Sequence, residues 1–335
     1  FHMKNERGPQ LAGLKRFEFN SNLQRMSMIS CPAGNTQQKR IYVKGAPEVL
    51  LSLCHPNTIP VDFKECLGRY TSNGYRVLAL CYRDLTSHEC AARLDDLNRT
   101  DCEKDLTFIG FAVFQNKPKP ESKPTIELLH KAEIMMKMST GDNPVTAAAV
   151  SKEVSIIAEN APVYICDLVE EDSKLYIDIQ GLTNVNIIIK LAVPHLDFNL
   201  TKKEVTPELS NEISQHLKEV AKEFPNEKDD EVAITGRAFN YLLHATYLTE
   251  GKMSSYILHN ALLKCKIFAR MQPNHKIKLI EMIQKTKRLV AMVGDGANDC
   301  GALRTADCGL ALSQAEASIS APFNSKILNI SALVD

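Results

Sequence analysis

The chain has 335 residues, enough for two domains at the usual ~150 residues each. Its 40 basic and 40 acidic residues cancel, which argues against a nucleic acid or an anionic membrane surface as partner. No stretch approaches the ~18 uninterrupted apolar residues of a membrane span; the best, Val185–Val193, is broken by Asn186 and Lys190.

Residues 1–13 carry no clear period and are expected to be an unanchored, disordered end. Lys15–Ser30 alternates as a strand with a polar interruption, and Ile41–Val43 is its expected hairpin partner. Lys44-Gly45-Ala46-Pro47-Glu48 stops that strand, and a helix follows with Pro47 in its first turn. Lys44 beside a glycine can approach a phosphate or a purine, or can belong to a solvated turn. Phe19 can stack on a base or pack in the core. Phe63–Tyr70 reads as a helix and Tyr75–Tyr82 as a strand, whose single charge, Arg76, lies at an edge or faces a phosphate. Leu106–Phe114 is a near-continuous apolar run, as in a parallel-sheet strand covered on both faces.

Thr125–Ala132 reads as helix, and Ile134–Met138 leads into Ser139-Thr140-Gly141-Asp142-Asn143 before Pro144 starts another helix. Thr140 can offer its hydroxyl to a phosphate oxygen, or the turn can be a capped loop. Lys137 in a strand is costly unless its amine snorkels. Ser155–Asp230 differs in character: three strand-like pieces precede an amphipathic helix on Leu209, Ile213, Leu217 and Val220, with a charge-rich tip at 223–231. It reads as an inserted lobe. Alternation returns with strands at Val232–Gly236 and Lys266–Arg270, each followed by a helix. Lys276 falls in the first turn of the helix from Pro273, where the macrodipole disfavours a cation. An anionic ligand at that helix start would account for it, as would ordinary exposure.

Leu289–Leu312 then reads as strand, tight acidic turn and helix, followed by a strand at Cys308–Leu312 and a short helix at Gln314–Ser320. Asp295 and Asp299 stand in one loop with no basic residue between them. At ~4 Å and an effective dielectric of ~20 their repulsion is on the order of 4 kcal/mol. A hard cation such as Mg²⁺ would relieve it; the alternative is helix capping by Asp299 or Asn298. Gly294 and Gly296 let the backbone turn, and one of them is expected at positive φ. Repeated βα units predict a mainly parallel sheet with its site beyond the carboxyl ends of the strands. The ten cysteines show neither C-x-x-C nor zinc spacing and are expected as reduced thiols.

Four strings carry a resemblance: K-G-A-P-E at 44–48, T-G-D-N at 140–143, F-A-R-M-Q-P-N-H-K at 268–276 and V-G-D-G-A-N-D at 293–299. Their order and rough spacing resemble the catalytic head of P-type ATPases. G-D-G-A-N-D-C-G-A-L with S-Q-A-E-A-S-I-S-A-P-F at 313–323 is similar to the fifth class, subgroup B, a branch associated with polyamine export from late endosomes and lysosomes. The resemblance covers most of 14–325. It implies an α/β fold in two domains. The first is an α+β nucleotide-binding (N) domain with an antiparallel sheet at 14–105. The second is a haloacid-dehalogenase-like, Rossmannoid parallel sheet at 106–325, the C-terminal part of the phosphorylation (P) domain, with the inserted lobe at about 158–230. Residues 326–335 would be a stub leading to a membrane helix.

The resemblance also implies ATP as substrate and Mg²⁺ as cofactor. Phe19 would stack on adenine, Lys44 and Gly45 would line the nucleotide pocket, and Arg76 would lie near the phosphates. Thr140 would hold the transferred phosphoryl with Asp142 at the same turn, and Lys276 would neutralise the phosphoaspartate. Asp295 and Asp299 would bind the metal, with Asn298, Gly141, Gly294 and Gly296 supporting the phosphate loops. The family's nucleophile string D-K-T-G-T does not occur in the sequence; it is expected upstream of Phe1, with actuator and membrane domains as the remaining partners. The expectation is a soluble, cytosol-facing head fragment of a late-endosomal or lysosomal pump, binding ATP weakly and inactive alone. A haloacid-dehalogenase-type phosphatase would need its own D-x-D nucleophile, and Asp95-Asp96 and Asp229-Asp230 are not so placed. A non-catalytic remnant or splice product is the third reading.

Overall fold

Alternating apolar residues in the first third of the chain form an antiparallel meander. In the computed structural model, which describes residues 2–3, 11–35, 37–115, 117–182, 188–225, 229–250, 252–312 and 321–334, the chain divides into units 1–116 and 117–335. The first unit runs β1 (His2–Met3), β2 (Leu11–Asn20), β3 (Arg25–Pro32), β4 (Arg40–Gly45), α1 (Pro47–Leu51), α2 (Phe63–Ser72), β5 (Arg76–Asp84), α3 (Ser87–Ala91), α4 (Arg99–Cys102) and β6 (Thr107–Phe114). Its six strands pair in sequence order, every pair antiparallel. Ile29, Ile41, Val43, Ala79 and Cys81 on one face of the sheet pack with Leu50, Leu97, Cys102 and Leu106 from the connecting segments.

Several expectations change here. Lys15–Ser30 is a hairpin reversing at 21–24, because Asn20, Ser21 and Asn22 in succession break the alternation. Residues 11–13 belong to β2, and His2–Met3 pair with Ala12 and Leu11; the remainder of the expected free end lies outside the described residues. Leu106–Phe114 is not a strand of the second region. Residues 107–114 close the antiparallel sheet against β5, so the boundary falls at 116 rather than 105. Its continuous apolarity misled because β6 ends the sheet among the described residues and none of its residues is fully buried, with Ile109, Val113 and Phe114 exposed.

The second unit runs α5 (Ser122–Lys131), β7 (Met138–Ser139), α6 (Pro144–Glu153), β8 (Val163–Glu171), β9 (Lys174–Gly181), β10 (Ile188–Val193), α7 (Pro207–Glu223), β11 (Glu231–Thr235), α8 (Gly236–Leu248), α9 (Met253–Lys264), β12 (Ile267–Ala269), α10 (Pro273–Gln284), β13 (Ala291–Gly294), α11 (Cys300–Thr305), β14 (Cys308–Ala311) and β15 (Phe323–Asn324). One sheet has the order β10-β9-β8-β11-β12-β7 and a separate parallel sheet the order β13-β14-β15. The run β8-β11-β12-β7 is parallel, and β11 is buried along its whole length, as a strand covered on both faces must be.

The expected inserted lobe is not separate. Its first strand, β8, lies inside the main sheet, β9 and β10 extend that sheet antiparallel, and Ile213, Leu217 and Val220 of α7 are buried in the same core as α8 and α9. The apolar stripe that suggested a self-contained helix is the face with which α7 joins this core. Of the expected charged tip, 226–228 lie outside the described residues, as do the helix expected at 314–320 and residues 185–187 of the expected strand at 185–193. Near the expected terminal stub, Ile330 packs against the Ile126 cluster. No helix among the described residues is long and apolar enough to cross a membrane. The ten cysteines are free thiols, and Cys54 and Cys81 lie 3.4 Å apart, sulfur to sulfur, in the first core.

Lys137 does not snorkel to water. Its Nζ donates to the carbonyls of Leu263 at 2.6 Å and Cys265 at 2.5 Å, satisfying oxygens at the end of α9. Desolvation pushes its amine down to about 8. An unfolded lysine titrates near ~10.4, so between these values the folded state sheds the proton first and this group makes stability rise with pH. Thiol and phenol ionisation act oppositely, so Lys137→Met serves as the reference. Wild type should gain on the variant by on the order of 2 kcal/mol between about pH 7.5 and 10.5 in urea unfolding; parallel curves would mean the amine is not desolvated.

Candidate phosphate and nucleotide sites

The junction between β12 and α10 gathers the motifs of the second unit. The Thr140 amide donates to Phe268 O at 2.9 Å, and the Thr140 carbonyl accepts from the Met271 amide at 2.9 Å. The Arg270 amide donates to Asp142 O at 2.9 Å, and its guanidinium to Gly141 O at 3.0 Å. The Thr140-Gly141-Asp142 turn is thereby stapled along residues 268–271. Within the turn, Thr140 Oγ1 accepts from the Asp142 amide at 3.0 Å, and Asn143 caps α6 by accepting from Val145 N at 2.8 Å. The hydroxyl proton of Thr140 remains available to donate.

One residue past the junction, α10 opens with Gln272 as its cap, Pro273 in the first position and Lys276 in the first turn. Lys276 Nζ reaches Asp299 Oδ1 at 2.7 Å, with the two side chains only 11% and 12% exposed. The carboxylate answers the adverse macrodipole, because an anion beside the first turn offsets both the ammonium and the positive helix end. Asp299 makes no side-chain cap to α11, so capping is not what this carboxylate does. Asp295 and Asn298 are exposed on the same loop.

Glycine is required in that loop for close approach, not for a left-handed turn. A Cβ on Gly294 would lie 2.8 Å from Asp299 Cβ and 2.8 Å from its Oδ2, whereas one on Gly296 would meet nothing nearer than 3.9 Å. Neither is at positive φ, which corrects the expectation: the turn is made by a short 3-10 segment, Ala297–Asp299, after an extended Gly296. The strained residue is Arg270, at φ 50°, in the stapled junction itself. Gly236 is a further tight contact, since a Cβ there would fall 2.6 Å from Arg270 O and from His275 Nδ1. Reading by residue type missed Arg270, Gly236 and His275 as parts of this site; the run F-A-R-M-Q-P-N-H-K held the signal for two of them.

Among the described residues no three His, Cys, Asp or Glu side chains form a metal cluster. Two loop carboxylates supply hard oxygen donors, with water or phosphate oxygens to complete the shell. That donor set fits Mg²⁺ and not zinc or an all-protein Ca²⁺ cage.

In the first unit the register gathers the other expected residues at one end of the sheet. Phe17 pairs with Ser27 but Asn20 with Arg25, so Glu18 and Phe19 together oppose Met26. This bulge turns Phe19 away from the core face of Phe17 and onto the face of Met26 and its partner Lys44. Phe19 is 57% exposed, and Lys44 is exposed as well. Gly45 fits because a Cβ would lie 2.6 Å from Gln24 O, and the Ala46 amide donates to that carbonyl at 3.0 Å. Arg76 opens β5 at the same end, since Gly45 pairs with Ala79. Beneath lies a buried ion cluster with no sequence signal. Glu103 accepts from Arg25 Nε at 2.5 Å and Ser27 Oγ at 2.6 Å and pairs with Arg99 Nε at 3.2 Å. Arg99 also donates to Glu18 O at 2.5 Å, which holds the bulge.

Gly294→Ala should displace Asp299 and cost about 1–3 kcal/mol in urea unfolding, as overpacking against a fixed backbone does. Gly296→Ala should stay within about 0.5 kcal/mol. Equal effects would refute the close-approach role of Gly294.

Comparison with known proteins fits this geometry. Residues 2–121 match the family model described as P-type ATPase, cytoplasmic domain N. The vacuolar cation-transporting ATPase YPK9 of Saccharomyces cerevisiae is 37% identical over 97% of this chain and 20% of its own length. The polyamine-transporting ATPase 13A3 of Mus musculus is 34% identical over 96% of this chain and 24% of its own. The polyamine-transporting ATPase 13A2 of Homo sapiens is 34% identical over 95% and 24%. The chain thus spans a fifth to a quarter of the length of these relatives. Similarity over nearly the whole chain identifies it as belonging to the P-type ATPases, beside the 13A cation- and polyamine-transporting members.

Proposed function

We propose that this chain is the ATP-binding and phosphate-handling part of a transport ATPase head whose cargo is a polyamine or a cation. The observation that carries the reading is the Lys276–Asp299 pair, held at the junction that also staples the Thr140–Asp142 turn. Phe19 stacks on adenine, Lys44 and Gly45 border the nucleotide, and Arg76 faces its phosphates. Asp295 and Asp299 hold Mg²⁺, which when bound spreads the negative charge of the phosphate oxygens. Lys276 is released from Asp299 toward the phosphoryl group, and Thr140 donates its hydroxyl to a phosphoryl oxygen. Charge neutralisation of this kind is most of what a protein contributes to phosphoryl transfer.

The other half of the reaction is an in-line nucleophile. D-K-T-G-T does not occur in these 335 residues, so the chain supplies the neutralising groups and another part of the pump supplies the aspartate. Among the described residues β7 and β13 each end a sheet, and their open edges offer backbone pairing for such a strand. The parent pump sits in a late-endosomal or lysosomal membrane with this part facing the cytosol, and the actuator and membrane domains are its partners.

One aromatic stack of ~1–3 kcal/mol and one or two charge-assisted bonds of ~1.5–3 kcal/mol leave a small surplus after ordering costs. The expected Kd for Mg-ATP is therefore on the order of 0.1–1 mM. Amide chemical-shift titration should give that value with shifts around Phe19, Lys44 and Arg76, and Phe19→Ala should weaken binding by about tenfold. An unperturbed spectrum at several millimolar Mg-ATP would overturn the reading. Mg²⁺-dependent turnover of p-nitrophenyl phosphate, abolished by Asp295→Asn, would replace it with a phosphatase.

A further inference from the structure

Helix α10 has two working faces, and only one belongs to the phosphate site. Lys276 reaches Asp299, and Ile280 packs with Ala302 and Ala306 of α11 and its end. The other face, Lys278, Glu281, Met282 and Lys285, lines a cavity of about 790 Å³ shared with α8 and α9. These four positions recur at i, i+3, i+4 and i+7, so they form one stripe. The volume falls within the ~300–1,000 Å³ of sites for small organic molecules.

Its wall is a preassembled aromatic stack. The His244 ring stacks on Tyr247, at 6.1 Å between centroids, and, outside the lining, Phe198 meets the His244 ring in a tilted contact at 5.5 Å. Burial lowers the pKa of His244 and of His259, which the nearby Lys285 lowers further, so both line the cavity as neutral rings. Leu243 and the buried Met282 add apolar surface, and Met253 and Tyr256 stand 70% and 67% exposed at the rim. Large apolar groups left so open on a helix beside a concave surface are characteristic of binding sites.

The charges are unequal. Glu250 is already paired with Lys202, whose amine also lies 4.7 Å from the Tyr247 ring centre. Lys252 is turned to Ser210 O and Asn211 Oδ1, at 2.9 and 3.0 Å. Lys278 donates to Asn240 Oδ1 at 2.6 Å. Against Glu281, Lys278 and Lys285 therefore leave the α10 side of the cavity cationic. We propose that this cavity binds a small aromatic anion, its rings against the His244–Tyr247 wall and its carboxylate or sulfonate on the Lys285 amine, on the side away from Glu281. The site is distinct from the phosphate loops and stands whether or not the chain binds ATP.

The test uses the whole chain with ¹³C-methyl methionine and 8-anilino-1-naphthalenesulfonate as probe. The dye should shift the Met253 and Met282 methyl signals with a Kd on the order of 10 μM. N-phenyl-1-naphthylamine, which lacks the sulfonate, should bind at least tenfold more weakly. Lys285→Glu and Tyr256→Ala, both at exposed positions, should each weaken the dye about tenfold while leaving the remaining methionine spectrum unchanged. Dye fluorescence without movement of Met253 and Met282 at about 1 mM would overturn the site, and equal affinity for the neutral analogue would overturn its preference for an anion.

Discussion

An ammonium held 2.7 Å from a carboxylate, both almost out of water, is the constraint on which the second unit's site turns. Desolvating two ions costs several kcal/mol each, and their attraction repays this only with good geometry. Replacement by packed apolar residues would often be as stable, so the pair is not explained by stability. What it provides is a cation and an anion kept apart from solvent at a helix start; in the function proposed above, each takes a new partner when a phosphate and its counter-ion arrive. Such a store of opposed charge is useful only where its position is fixed. Here the fixing comes from backbone bonds to the β12–α10 junction and from a left-handed Arg270 that the surrounding bonds hold in place.

The glycines at the two sites work by one mechanism. Gly45, Gly236 and Gly294 each sit where a Cβ would come within 2.8 Å of a neighbour, respectively Gln24 O, Arg270 O and Asp299. In each case one chain segment passes directly over the next beside a side chain of the candidate sites: Lys44 beside Gly45, His275 against Gly236, Asp299 against Gly294. Permissive φ is not needed at any of them, since none is among the positive-φ residues.

Helix α10 links the rest. Its first turn supplies Lys276, one side packs on α11, and the opposite side closes the aromatic cavity with α8 and α9. One face of α10 is therefore close-packed and the other borders open space. Among the described residues the first unit has no comparable helix. Its site rests on a bulge in β2, held by Arg99 and the buried Glu103 cluster, which turns a single ring out of the core.

Much of this was legible in the residues. The acidic loop, the T-G-D-N turn, Lys276 at a helix start and the pairing of β3 with β4 all follow from local chemistry: glycine and proline stop strands, period-two alternation marks half-buried ones, and a cation in a first turn asks for an anion. The whole antiparallel first sheet was implied by the family resemblance. Residue order cannot say which strand pairs with which edge. Residues 107–114 look like a covered parallel strand yet close an antiparallel sheet, and 163–171, 174–181 and 188–193 look like parts of an insertion yet build the main sheet, because apolar runs report burial and not the neighbour that provides it. The bulge beneath Phe19, the approach of Gly294 to Asp299 and the two faces of α10 depend on atoms far apart in the chain. Only the tertiary structure decided them, since each is set by excluded volume between segments that the sequence does not order in space.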